Sequence, residues 1–284
     1  MSIAVMNFIV SILSIFFGSL FIAYCRADDQ CNVIWPPCND IENIVCRNGG
    51  SCDPVPDSQC KPLKNDDTFR KWILEVHNSY RNDIASGKDT RNGATSAANM
   101  QVINYDFDLE YTASCTANTC TGEADDCGRT LNFWQNGQSI EIVDGGDEAL
   151  VDIPHQWYQR IELMDPKDFD NFREDLPLTF TQMIWANSTH VGCAKAHSIT
   201  QNRSILVCNY GPPGNIYGEK VFERGESTSN CPVGSTRSIY YDSLCGTVIP
   251  LEIIRPRSAE SNVSKCIQHS FMTIICAQLL YLIC

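Results

Sequence analysis

The chain is short of basic residues. Its 284 residues carry 21 Lys and Arg against 34 Asp and Glu, a formal net charge of −13, and only 5 His. A polyanion of this kind is not drawn by charge to nucleic acid or to anionic lipid, so neither is expected as a partner. Several catalytic signatures are missing as well. The sequence holds no G-x-S-x-G, no H-E-x-x-H, no phosphate-binding P-loop and no C-x-x-C. It has no internal repeat and no low-complexity tract.

Long hydrophobic runs occur only at the two ends. Phe8 to Tyr24 is almost unbroken apolar sequence, and Cys25-Arg26-Ala27 places small residues where a signal peptidase reads, so residues 1–27 read as a signal peptide. At the other end, Phe271 to Cys284 is 14 residues without charge, too short to span a bilayer comfortably. A polar spacer, Val263 to Ser270, precedes it, and before that come Ser258, Ala259, Ser261 and Asn262. Small site, spacer and terminal apolar tail make residues 263–284 a candidate glycolipid (GPI) anchor signal, with attachment near Ser261 or Asn262.

Cysteine, by contrast, is abundant, with 16 in the chain. Cys25 lies in the leader, and Cys266, Cys276 and Cys284 lie in the tail. The other 12 (Cys31, Cys38, Cys46, Cys52, Cys60, Cys115, Cys120, Cys127, Cys193, Cys208, Cys231 and Cys245) form an even set. An even set behind a signal peptide implies a disulfide framework in an extracellular protein. Removing both ends leaves 235 residues with 19 basic and 34 acidic side chains, a net charge of −15. That length permits one well-buried domain of about 150–180 residues with extensions.

Residues 28–65 are cysteine-rich and contain Pro36-Pro37 and Gly49-Gly50, which predicts an extension of stapled loops. A helix follows, capped by Asp67 or Thr68 and ended at Gly87, with Phe69, Trp72, Ile73, Val76, Tyr80 and Ile84 on one stripe. A second helix is expected over 107–120. A third is expected over 148–164, with Pro154 starting or kinking it. Cys193 and Cys208 sit among Val191, Ile205, Leu206 and Val207, which reads as an antiparallel hairpin locked by a cross-strand disulfide. Gly211-Pro212-Pro213-Gly214 then stops the second strand. Beyond it, Cys231 to Cys245 frames a small loop that reads as part of a C-terminal extension, 221–262.

The run Phe180-Thr-Gln-Met-Ile-Trp185, followed by Leu206-Val-Cys-Asn-Tyr-Gly-Pro-Pro-Gly-Asn215, closely resembles the two signature motifs of the CAP superfamily. That superfamily comprises cysteine-rich secretory proteins, insect venom antigen five and pathogenesis-related one proteins. His77, Asn78 and Arg81 resemble its first helix, and Gly137-Gln-Ser-Ile140 resembles its G-[E/Q]-N-[I/L] segment except at Ser139. The resemblance covers residues 68 to 218 and implies an α+β fold: a three-layer α-β-α sandwich with a small antiparallel sheet, its CAP domain spanning 66–220. It also implies the pairs Cys31–Cys46, Cys38–Cys127 and Cys60 (or Cys52) with Cys120, leaving Cys52 or Cys60 for Cys115 and Cys231 for Cys245.

Many CAP proteins hold a divalent metal on two histidines and two acids facing a central cleft. The positions that the resemblance assigns to this cluster are Ala124, Gln138, Arg160 and Thr179. None offers an imidazole or a carboxylate, and Arg160 would repel a cation. His77 occupies a position that is structural in the family. The expectation is therefore a non-catalytic extracellular binding protein without metal or other cofactor, for a lipid or sterol or for a protein partner. The alternative is a secreted effector of the antigen-five or venom-allergen kind, acting on host immunity or channels. Acceptor triplets at Asn187 (N-S-T) and Asn202 (N-R-S) predict N-glycosylation.

Overall fold

The computed structural model describes residues 27–53 and 59–253. The expected leader as far as Arg26 lies outside the described residues, as do the attachment site and the anchor segment 263–284.

Among the described residues, five strands form one sheet: β1 (Cys60–Pro62), β2 (Asn104–Tyr105), β3 (Gly137–Asp144), β4 (His190–Ser198) and β5 (Arg203–Gly211). β4 and β5 are the hairpin, paired from His190↔Gly211 to Ser198↔Arg203 with Cys193 opposite Cys208. β3 pairs antiparallel with the other side of β5, from Gly137↔Tyr210 to Asp144↔Arg203. β1 pairs antiparallel with β4, and β2 adds two residues parallel to it. The helices are α1 (Ala27–Ile34), α2 (Ile44–Arg47), α3 (Asp67–Ala85), α4 (Phe107–Ala117), α5 (Ile153–Gln159) and α6 (Leu178–Met183).

The strands sort their side chains by parity. Val191, Cys193, Leu206, Cys208 and Tyr210 join a large core with residues of α3, α5 and α6, including Ile73, Ile84, Trp157 and Phe180. Ala194, Ala196, Ile205 and Val207 face the other way, onto Ala113 and Ala117 of α4. The result is helix, sheet and helix in three layers. On the α4 side the layers close very tightly at Gly192. A Cβ there would lie 2.1 Å from the Glu110 amide nitrogen and 2.4 Å from the Asp106 carbonyl oxygen.

The cap of α3 is Asp66, one residue before Asp67 and two before Thr68, and it accepts a hydrogen bond from the Phe69 amide at 3.0 Å. The expected third helix is three pieces. A 3-10 segment, Asp147–Asp152, leads into α5, and another, Arg160–Leu163, follows it. Pro154 falls in the first turn of α5, where its missing N–H breaks no helical bond.

Among the described residues, six disulfides join Cys31–Cys46, Cys38–Cys127, Cys52–Cys115, Cys60–Cys120, Cys193–Cys208 and Cys231–Cys245. Of the two arrangements left open for Cys52 and Cys60, the fold has Cys60 with Cys120. That bridge ties β1 to the end of α4. The segment after residue 220 is built into the main core: Val221, Phe222, Leu244 and Leu251 are buried there. Cys245 also exchanges backbone hydrogen bonds with Met100 and Val102, each 2.8 Å.

Candidate functional site: an ion pair where a metal cluster is expected

The two signature runs meet where α6 leads into β4 and β5 ends. Gln182 is fully buried and sits between them. Its Oε1 accepts from the Gly214 amide at 2.9 Å, and its Nε2 donates to Ser188 Oγ at 3.1 Å. Ser188 Oγ in turn donates to the Pro212 carbonyl at 2.9 Å. Gly137 makes room for this side chain, since a Cβ there would lie 2.0 Å from Gln182 Oε1. Thr181 donates to Asn215 Oδ1 at 2.6 Å, and Asn215 donates to the Leu178 carbonyl at 2.9 Å. The motif residues thus hold the two loops together. None of these polar groups is left over for chemistry.

His77 is equally occupied. Its Nδ1 lies 2.8 Å from the Ile73 carbonyl, which can only accept, so Nδ1 carries the proton. Nε2 then accepts from the Tyr210 hydroxyl at 2.9 Å. Complete burial holds its pKa down, to about 4, so the ring is neutral at physiological pH. Arg81, also fully buried, donates to the carbonyls of Gln101, Met183, Trp185, Ala186 and Ser188. Desolvation brings its pKa down to about 9.

The four positions singled out from the sequence fall into two groups. Arg160 and Thr179 come together on the α5–α6 side of the sheet, where Arg160 Nη1 donates to Thr179 Oγ1 at 2.6 Å. The other guanidinium nitrogen, Nη2, pairs with Glu141 Oε2 at 2.7 Å, and Trp157 Nε1 donates to the same oxygen at 3.0 Å. Gln138 is on the α4 side. Its Nε2 donates to Asp125 Oδ2 at 2.6 Å and to Asn209 Oδ1 at 2.9 Å, while its Oε1 accepts from the Asp125 amide. Ala124 is exposed beside Asp125. The Asp125 carboxyl is pushed up by burial.

Glu141 is the acid that sequence reasoning missed. The signal was parity: Gln138 and Glu141 are three residues apart on one strand and must face opposite layers. A metal does not fit this arrangement. The Glu141 carboxylate already has a cation beside it, the Thr179 hydroxyl is engaged, and Ala124 has no donor. Among the described residues, no group of three or more His, Cys, Asp or Glu is placed to hold a metal ion.

A six-disulfide α-β-α sandwich whose signature motifs clamp two loops defines a class of secreted, cysteine-rich proteins. Residues 74–210 match the family described as "CAP: Cysteine-rich secretory protein family". The chain is 31% identical over 228 residues to Venom allergen 5 of Rhynchium brunneum, covering 74% of this chain and 96% of that protein. It is 29% identical over 184 residues to Scoloptoxin SSD552 of Scolopendra dehaani, covering 63% of this chain and 85% of the toxin. Among solved structures, NaASP2, crystallised with Zn2+, superposes with a TM-score of 0.56 at 25% identity, over 65% of this chain and 99% of that one. The chain belongs to the CAP superfamily, and its relatives are of the venom-allergen type.

Proposed function

We propose that this CAP protein is a non-catalytic extracellular binding protein whose cleft has lost the family's metal cluster. The observation that carries the reading is the Arg160–Glu141 pair, 2.7 Å apart, with Thr179 as its third member. A guanidinium fixed on the carboxylate beside Thr179 holds the place that a divalent cation would need. It also leaves that carboxylate without the freedom of a general base. The ligand is a lipid or sterol, or an extracellular protein.

Zinc titration by calorimetry tests the metal half of the reading. No stoichiometric binding is expected for the wild type, and binding abolished by Glu141→Gln would overturn it. Mass spectrometry of lipids co-purifying with the secreted protein tests the ligand half. A single co-purifying lipid or sterol would select the first ligand class, and its absence would select a protein.

A second reading, a secreted effector, draws support from relatives named as venom allergens and scoloptoxins. The anchor separates the two, because a tethered protein is a poor venom component. Release of the protein from the cell surface by a phosphatidylinositol-specific phospholipase is expected under the first reading. Recovery of the protein wholly in the medium with Cys284 intact would put the effector reading ahead.

A further inference from the structure

β3 is an edge strand. Over its eight residues it hydrogen-bonds to β5 on one side only. Among the described residues, no backbone group from Gln138 to Asp144 makes a main-chain hydrogen bond to any element other than β5. In an antiparallel strand every second residue turns its N–H and C=O away from its neighbour, so half of these groups face outward. Proteins commonly blunt such an edge with proline, lysine, a bulge or a cover. β3 reads Gly-Gln-Ser-Ile-Glu-Ile-Val-Asp and has neither proline nor lysine, and its register with β5 runs without a bulge.

Its side chains are also those of a strand that expects a neighbour. Ile140, Ile142 and Val143, all β-branched, are left half-buried, whereas β5 is buried at every position but Arg203. On the α4 side, Ile142 reaches a depression of about 450 Å³ that is also lined by Cys60 of β1, Ser198 of β4 and Arg203 of β5. The two acids on the strand do not guard the edge with free charge, since Glu141 is paired with Arg160 and Asp144 with Arg203. Beside the strand, exposed Glu123 is next to Gly122, which packs on Ile142, so the free charge placed there is acidic.

We infer that the free edge of β3 is a docking site for an extended, basic segment of a partner protein, which adds to the sheet as a further strand. This rests on the reading of the chain as a binding protein and names the partner's chemistry. Main-chain hydrogen bonds along the edge supply affinity, and alternate side chains supply specificity. The charge of the chain, −13 overall, selects a cationic strand and repels a second copy of itself.

The test is hydrogen exchange of the full secreted protein with end-blocked synthetic peptides. One alternates lysine with valine, one alternates glutamate with valine, and one repeats the lysine–valine sequence with alternate amides N-methylated, so that it cannot form a ladder. The lysine–valine peptide should slow exchange of amides within 138–144 on the order of tenfold. The other two should leave them unchanged, and Val143→Lys or Ile140→Lys should remove the protection. Equal protection by the N-methylated or the glutamate peptide would overturn the inference. So would protection confined to other elements, or β3 protection that grows with protein concentration in the absence of peptide. Zinc binding or hydrolytic activity would instead sink the non-catalytic reading, and neither registers in the exchange of β3 amides.

Discussion

Arg81 carries a full charge into the interior, where it donates to five carbonyl oxygens. It collects the turn after α6 and the segment before β2 onto α3. Replacing it with methionine roughly keeps the volume but leaves the carbonyls of Gln101, Met183 and Ser188 without a donor, while those of Trp185 and Ala186 keep one backbone amide each. At roughly 1–3 kcal/mol per unsatisfied group, Arg81→Met should cost about 4 kcal/mol. Arg81→Lys should recover only part of this, because a point donor cannot reach the whole set. Urea unfolding of the three proteins checks the order. His77 gives a pH signature. Its folded pKa is depressed, so the neutral ring's contribution is complete above the ordinary value of 6.5. It is lost as pH falls, because the unfolded ring protonates first, and the loss ends near the folded value of about 4. The window is worth about 3 kcal/mol. The denaturation midpoint should therefore fall less steeply between these pH values in His77→Gln than in the wild type.

At the scale of elements, the tightest joint is between α4 and β4. Gly192 touches helix backbone, not a side chain that could swing aside. Gly192→Ala must push α4 off the sheet and should cost about 3 kcal/mol. Gly218→Ala serves as a control for volume, since nothing lies within 4 Å of its Cβ position, although its φ of +79° adds a strain of its own. Thermal melts of both proteins compare them. α3 and the β4–β5 hairpin were readable beforehand because their apolar periods, near four and two, extend over many residues. The region 147–163 was readable in part: a helix begun at Pro154 is there as α5, with Trp157 buried, but its flanks are 3-10 pieces, which bury only Leu150 and Ile161 and so carry too short an apolar pattern to show a period.

Over the whole molecule, surface position decides what can be modified. Asn187 and Asn202 are exposed, the second at positive φ in the β4–β5 turn. Glycosidase treatment of the secreted protein should raise its gel mobility, and Asn187→Gln with Asn202→Gln should remove that shift. The cysteine pattern and signature motifs determined the family, the antiparallel hairpin and the absence of histidine or acid from the four cleft positions, because these are matters of residue identity and short spacing. Tertiary structure alone decided which of those positions meet. Strand parity sent Gln138 to Asp125 on one face and Glu141 to Arg160 on the other, and Glu141 and Arg160 are 19 residues apart. It also decided that Cys60, and not Cys52, bridges to Cys120, because β1 lies against β4 beside the end of α4. Contacts between residues distant in the chain follow from how layers stack, and no local period records that.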